Sequence, residues 1–400
     1  MKFLENVSLA EYTTFKIGGK ARYFCVVKNE DELREALNFV KGKKMTGKNA
    51  KDEKMSFFVL GGGSNILVSD RGFPGLVIKM EMVGISFENM TGENAMKKDG
   101  EVLVTAGAGE NWDELAAETV KRSLWGLENL SGIPGTVGAA PVQNIGAYGA
   151  EVGDFIVSVR AVDVVSGAAR TFPNSECQFS YRESFFKTSE GKKYIITSVT
   201  FKLSRTPKPN LSYKDLKEYF EKEEMEKMLF VEHAVSASWR SGSFSGASCG
   251  FVPRQTLTSE SLHKKHFLRL QSLPEIRKAV IKIRKTKFPE LSKIGTAGSF
   301  WKNPVISKPR FEELKAQYPN MPSFPSGDQI KIPLAWILDN ICNLKGFTLN
   351  SVSLWQNQPL VVTALKGATS SDVKSLAVHV SRTVKEKIGI DIEKEVQYVN

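Results

Sequence analysis

"GLENLSGIPGTVGAAPVQNIGAYGAE", residues 126–151, decides the fold, because no regular helix or strand can run through it. Glycine recurs along it, two prolines interrupt it, and Glu128 and Glu151 are its only charged residues. Glycine reaches φ > 0 without steric penalty and lets backbone come close to a ligand. A disordered linker could share this composition, yet Ile133, Val137, Val142, Ile145 and Tyr148 offer apolar anchors. The stretch therefore predicts an ordered binding loop. A second glycine run lies upstream in "VLGGGSNILVSD" (59–70), where a strand enters three glycines followed by Ser64 and Asn65. Such a turn can aim several backbone N–H groups at a phosphate. It is neither the GxGxxG fingerprint nor a P-loop, since no third spaced glycine and no GK[ST] follow. Two such loops in one chain suit a ligand with a long phosphate bridge, such as a dinucleotide.

Around these loops the chain alternates in an α/β manner. Leu33, Ala36, Leu37 and Val40 follow helical spacing behind Asp31, an expected N-cap. "SFFVL" (56–60) and "GLVIKM" (75–80) read as buried strands, and "EVLVTAGAG" (101–109) as a strand entering a glycine turn. "NWDELAAETVKRSL" (111–124) predicts a helix with Trp112, Leu115, Ala116 and Thr119 on one face, and "YIITSVTFKLS" (194–204) a strand. "RTPKPNLSY" (205–213) reads as a domain boundary, and residues 214–228 as a charged helix. Residues 235–262, rich in Ser and Gly, predict a surface insertion. Helical spacing returns at Ile276, Val280 and Ile283, and again from Val373 to Val384, with Gly389 as a stop. "IDIEKEVQYVN" then alternates as a closing strand.

The 400 residues carry a net charge of +11, with 41% hydrophobic and 25% charged residues. That charge favours anionic partners, although much of it sits in 40–55 and 276–287, which read as solvated faces. No nucleic-acid motif is present, so neither RNA nor DNA is expected as partner. No apolar run approaches the ~18 residues of a membrane span, and the polar opening "MKFLENVSLAEYTTF" lacks a signal-peptide core. A cytoplasmic protein is expected. Cys25, Cys177, Cys249 and Cys342 are widely spaced, and His263 and His266 form the only close histidine pair. Neither disulfides nor a metal site is expected.

Several residues could do chemistry. Tyr181 and Arg182 in "FSYRESFFK" place a planar cationic fork among apolar residues, suited to a carboxylate or phosphate, or simply to a neighbouring acid. "GTAGSFWKNP" (295–304) delivers one hydroxyl, Ser299, from a small-residue run into two aromatics and Lys302. Ser299 is either a working group or a turn residue ahead of a strand, and no histidine is placed by motif to make it a nucleophile. "GASCG" (246–250) matches G-x-S-x-G at Ser248 but lacks the strand and helix that a hydrolase elbow needs. Glu393 and Glu395, two apart in the closing strand, face one side, as functional acids or as exposed ones.

In this order, "TTFKIGG", "LGGGSNIL", the 126–151 stretch, "YRESFFK", "GTAGSFWKNP" and "EKEV" resemble the UDP-N-acetylenolpyruvoylglucosamine reductase (MurB) family, from about residue 12 to residue 399. Tyr213 in "LSYKDL" resembles its longer type, with a tyrosine-bearing loop over the substrate. The resemblance implies an α+β chain with an FAD-binding fold of the vanillyl-alcohol-oxidase type plus a C-terminal substrate-binding domain. Its expected divisions are 1–90 and 91–205 for two FAD-binding subdomains, 206–388 for the substrate domain with an insertion at 226–272, and 389–400 for a strand carrying the catalytic Glu. It implies non-covalent FAD contacted by Gly61, Gly62, Gly63, Ser64 and Asn65 of the first loop. From the second come Ile133, Pro134, Gly135, Thr136, Gly138, Ala139, Asn144, Gly146, Ala147 and Tyr148. Arg182, Ser299 and Glu395 become the catalytic trio, with Tyr181, Tyr213, Lys287, Asn303 and Gln358 on the substrate.

The implied reaction uses NADPH to reduce UDP-N-acetylenolpyruvoylglucosamine in a monomer. Hydride passes through FAD to the substrate C3, Arg182 and Glu395 stabilise the developing enolate, and Ser299 protonates C2. Serine is a poor acid, so a positive field from Lys302 or a neighbour is expected beside it. Trp301 departs from the family pattern, which usually has a second phenylalanine there. The rival classes are another FAD oxidoreductase on the same fold, a basic nucleic-acid-binding protein, and a serine hydrolase using Ser248.

Overall fold

The computed structural model describes residues 1–43, 55–89, 100–226 and 272–400. Its first sheet has the order Leu4–Ser8, Lys20–Val27, Phe73–Met80, Phe57–Leu60, with the last three strands parallel. Phe73–Met80 is apolar on both faces because it is covered on both. Leu76, Ile78 and Met80 enter one core, while Phe73 and Val77 enter another with Leu9, Phe24 and Val399. Helix Glu30–Gly42 crosses between the parallel strands and buries Leu33, Ala36, Leu37 and Val40, the spacing read from the sequence. Its N-cap is Asn29, whose side chain accepts from Glu32 N–H, and not the expected Asp31.

The second sheet is antiparallel, in the order Ala169–Pro173, Ile156–Asp163, Tyr194–Ser204, Glu101–Gly107, Ile85–Asn89. Ile85–Asn89 therefore belongs here, so the expected boundary at residue 90 falls after the first strand of the second sheet. Helix Trp112–Lys121 is capped by Asn111 and presses Trp112, Leu115 and Ala116 into the core common to both sheets.

The third sheet runs Gly295–Ser299, Gln358–Ala364, Val352–Trp355, Thr348–Leu349. Helices Leu334–Asn340 and Ser370–Ile388 share its core. The long helix opens on a Thr369–Asp372 capping box and ends at Gly389, whose φ of 68° is a left-handed cap.

The expected substrate domain 206–388 does not share one core. The helix over 214–226 and helix Leu273–Lys287 bury Leu216, Phe220, Ile276 and Val280 against Val120, Trp125 and Tyr148, on the second subdomain. An amphipathic pattern states that a face is buried and not what buries it. The 205–213 stretch is tied down too: Asn129 Nδ2 donates to Asn210 O at 2.8 Å, and Asn210 Nδ2 to Gly149 O at 2.9 Å.

The closing strand is shorter than expected, Gln397–Val399, and it pairs in parallel with Ile66–Val68. Upstream of it the chain is diverted onto "SFWKN". Glu395 N–H donates to Phe300 O at 2.9 Å, and Lys302 N–H to Glu393 O at 2.9 Å. The chain's end is thus stitched both to the first glycine loop and to the Ser299 segment.

Candidate active site

The two glycine loops meet over a cavity of about 430 Å³. Gly61, Gly62, Gly63, Ser64, Asn65, Ile133, Pro134, Gly135, Thr136, Gly138 and Ala139 all line it. Contact between the loops is at backbone range: a Cβ on Gly62 would lie 2.7 Å from Gly135 Cα. Ser64 Oγ donates to Pro134 O at 2.9 Å and fixes the pair. Gly63 has φ 63°, and a Cβ there would strike Tyr12 O at 2.0 Å. Among the described residues, no hydrogen bond uses the N–H of Gly62, Gly63 or Ser64. A tight turn with uncommitted N–H groups is an anion nest. Lys79, which no motif marks, donates from Nζ to Gly61 O at 2.7 Å and fixes the first peptide of that turn.

Four of the expected cofactor residues lie outside this lining. Asn144 spends its side chain within the fold: Nδ2 donates to Glu151 Oε2 at 2.7 Å and Ser180 O at 3.0 Å, and Oδ1 accepts from Gly153 N–H at 2.8 Å. Gly146 gives its carbonyl to Arg182 Nη2 at 2.8 Å. Ala147 sits in a two-residue strand paired with Ala150. Tyr148 packs edge-on to Tyr213 at 5.3 Å, and burial pushes its hydroxyl up to about 12. These residues build the wall next to the cavity.

Arg182, from the middle of the chain, and Glu395, near its C-terminus, come together, with Nε 3.1 Å from Oε1. Arg182 has φ 56°, a left-handed conformation that a non-glycine residue rarely holds. Its Nε finds no acceptor at hydrogen-bond angle, so the pair is ionic contact without a formed hydrogen bond. Glu395 exposes only 13% of its side chain. Burial raises its pKa, and Arg182, Lys187 and Lys302 oppose that without cancelling it. Asn65 Nδ2 donates to Glu395 O at 3.2 Å, which joins this pair to the glycine cradle.

Ser299 is the last residue of strand Gly295–Ser299. It stands opposite Val361 across a register shift, and its segment is clamped by Phe300 N–H to Leu360 O at 2.8 Å and by Glu395 N–H to Phe300 O. Phe300 and Trp301 are buried and pack at 4.8 Å, so the rings brace the segment that follows Ser299. The expected field of Lys302 is another matter. Lys302 Nζ is gripped by Glu183 Oε1 at 2.6 Å and Glu393 Oε2 at 2.8 Å. Burial works against its charge and these two acids outweigh it, leaving the pKa raised. Two carboxylates answer that cation, so it is not a free positive field for Ser299.

Tyr181 lies beneath two cations, Arg182 at 5.3 Å and Lys331 at 4.5 Å from its ring. Lys331 was not foreseen, since a lysine in a short hairpin strand carries no motif. Burial lowers its pKa, and Arg182 adds to that. Lys287 ion-pairs with Asp215, two residues after Tyr213. Asn303 Oδ1 accepts from Leu334 N–H at 2.9 Å, while the Asn303 N–H groups oppose the burial that raises the pKa of the Tyr181 hydroxyl. Gln358 follows Asn357, whose Nδ2 donates to Thr286 O at 3.0 Å, on the Lys287 side of the site.

Two family models match the chain: an FAD binding domain over residues 21–172, and the C-terminal domain of UDP-N-acetylenolpyruvoylglucosamine reductase over 289–399. UDP-N-acetylenolpyruvoylglucosamine reductase of Neisseria gonorrhoeae is 34% identical over 98% of this chain and 95% of its own length. That of Flavobacterium johnsoniae is 33% identical over 100% of both chains. The chain belongs to the UDP-N-acetylenolpyruvoylglucosamine reductase family.

The crystal structure of the Thermus caldophilus MurB shares the fold, with a TM-score of 0.59, 22% identity and full coverage of both chains. The C-terminal MurB match begins at 289, just past the helix that packs on the second subdomain. The cradle fits the FAD of the matched domain: uncommitted N–H groups for a diphosphate, and loops so close that a single methyl would obstruct them. Ser248, Cys249, His263 and His266 lie outside the described residues. The other thiols are buried and pushed up to about 12 at Cys25 and Cys177 and about 11 at Cys342, far from reactive. Among the described residues, no helix is long and apolar enough to cross a membrane.

Proposed function

We propose that this MurB-family protein reduces UDP-N-acetylenolpyruvoylglucosamine to UDP-N-acetylmuramate with NADPH, a step of peptidoglycan precursor synthesis. The observation that carries the reading is the Arg182–Glu395 pair, hydrogen-bonded into the glycine cradle through Asn65 and into the Ser299 segment through Phe300. FAD, held by the cradle of residues 61–65 and 133–139, would supply the two-electron transfer between NADPH and the enolpyruvyl double bond. The residues of the chain do the rest. Arg182 faces the substrate carboxylate and stabilises the negative charge that develops there. Glu395, paired with Arg182, helps polarise the same group. The Ser299 hydroxyl gives its proton to C2, so hydride plus proton complete the reduction of the double bond. With Lys302 spent on two acids, Arg182 is the cation that eases this transfer.

Tyr213, Lys287, Asn303 and Gln358, with Tyr181 and Lys331, supply the groove for the nucleotide-sugar diphosphate. A monomeric, cytoplasmic enzyme accompanies this reading. The test is an anaerobic visible spectrum of the purified protein loaded with FAD. NADPH should bleach the flavin bands, and UDP-N-acetylenolpyruvoylglucosamine should restore them. Bands that bleach and stay bleached would overturn the substrate, and absence of flavin bands would overturn the reading altogether.

A further inference from the structure

The second glycine loop is held from outside by a helix that touches no part of the cavity described above. The Gly132 peptide, at φ 71°, is gripped at both ends by charged side chains. Its N–H donates to Asp113 Oδ1 at 2.6 Å, and its carbonyl accepts from Arg284 Nε at 3.0 Å. Asp113 is held in turn by Arg277, Nη1 to Oδ1 at 2.6 Å and Nη2 to Oδ2 at 3.0 Å. This is a two-point fork, and Arg277 leaves only 15% of its side chain exposed. Arg277 and Arg284 stand seven residues apart on helix Leu273–Lys287, two turns along one face. The helix that bears Asp113 adds two holds on the same loop. Trp112 Nε1 donates to Leu130 O at 2.9 Å, and Trp112 N–H to Gly135 O at 3.2 Å. The four residues after Gly132 line the cavity.

We propose that Asp113 and Arg277 are positioning residues for the cofactor, fixing the Gly132 peptide so that residues 133–136 meet FAD in the binding geometry. The proposal rests on the FAD reading above. It extends that reading to a helix whose C-terminal residue, Lys287, belongs to the substrate side. A glycine in the left-handed region has wide freedom and keeps one conformation only when its surroundings fix it. The fork through Asp113 fixes the N–H side of the peptide. Removing it leaves the loop free to sample conformations that bind FAD less well.

The experiment is FAD titration of the deflavinated full chain, followed by flavin fluorescence, for wild type, Arg277→Met, Asp113→Ala, the double variant and Arg277→Lys. Each apo protein is melted separately so that titrations are made where all are folded. Arg277→Met and Asp113→Ala should each weaken FAD binding about tenfold to hundredfold, the scale of a lost charge-assisted hydrogen bond. The double variant should be scarcely weaker than either single one, because the residues act as a unit. Arg277→Lys, keeping the charge without the fork, should fall between. With saturating FAD, turnover should return to near wild type in all of them. Single variants with FAD affinity within twofold of wild type would overturn the proposal whatever their melting temperatures, and so would strictly additive losses. Wild-type protein that binds no FAD would instead overturn the reading on which the proposal rests.

Discussion

The glycine cradle offers its ligand backbone N–H groups and almost no side-chain charge, whereas the cluster around Glu395 is made of side-chain charge and little else. The cradle comes from two short contiguous stretches, 61–65 and 133–139. The cluster gathers Arg182, Glu183, Lys187, Lys302, Glu393 and Glu395 from three distant parts of the chain, and each charge answers another. A frame of neutral dipoles holds an anion without having to shed a counter-ion first. A compensated ionic cluster holds its own members in place and leaves the reacting residue to work in a fixed field. The two regions should therefore fail differently. Damage to the cradle should appear as lost cofactor, and damage to the cluster as lost chemistry with cofactor retained.

The sharpest way to break this distinction is Ser299→Ala. Ser299 ends a strand whose backbone is held on both sides, so removal of its hydroxyl should leave fold and cradle intact. Reoxidation of the reduced enzyme by substrate should slow by about 10²–10⁴-fold, the usual scale of positioned proton transfer. Stopped-flow reduction by NADPH should stay within about twofold of wild type, well inside that scale. Equal loss in both half-reactions would assign Ser299 to the frame and not to the proton.

Gly62→Ala tests the other region and should have the next largest effect. The added methyl would lie 2.7 Å from Gly135 Cα, so one loop must retreat from the other. Overpacking of this kind costs about 1–3 kcal/mol, and it should appear as roughly 10- to 100-fold weaker FAD binding. Substrate reoxidation of whatever flavin is bound should be unchanged. Tight FAD with slowed chemistry would show that the two regions are not separable.

The same contrast explains what the sequence made legible. Glycine runs advertise a backbone site directly, because composition alone implies φ > 0 and close approach, and 61–65 and 133–139 line one cavity. Tyr194–Ser204 and Phe57–Leu60 were also plain, since unbroken apolar β-branched and aromatic runs have few other uses. Partnership is what single-sequence patterns lack. Helix Leu273–Lys287 has a clear apolar face, yet nothing in it says that Val120 and Trp125 cover that face and not the C-terminal core. Ile85–Asn89 could close one sheet or open the next. Lys302 looked like a free cation because Glu183 is over a hundred positions away, and an ion pair at that separation leaves no periodic trace. The grouping of Arg182, Ser299 and Glu395 as a catalytic trio rests on resemblance. Residue chemistry alone left each of its members with an ordinary alternative.

The smallest predicted effect separates two buried acids. Glu128 and Glu395 both have pKa values raised by burial, but Glu395 is ringed by Arg182, Lys187 and Lys302, whereas Glu128 meets no cation among the described residues. Glu128 Oε2 accepts from Gly126 N–H at 2.6 Å at the head of the second loop, and that bond only partly offsets the burial. An acid whose folded pKa lies above its unfolded value contributes stability that is complete below the unfolded pKa and is lost as pH rises through the folded one. Glu128→Gln keeps the shape and an acceptor and cannot ionise. Its melting temperature should match wild type in acid, then exceed it increasingly as pH rises past the ordinary carboxylate range, by an amount on the order of 1 kcal/mol in stability. A difference that stays flat with pH would mean that Glu128 has the same pKa folded and unfolded, so that burial at the head of the second loop does not set it apart from an exposed acid.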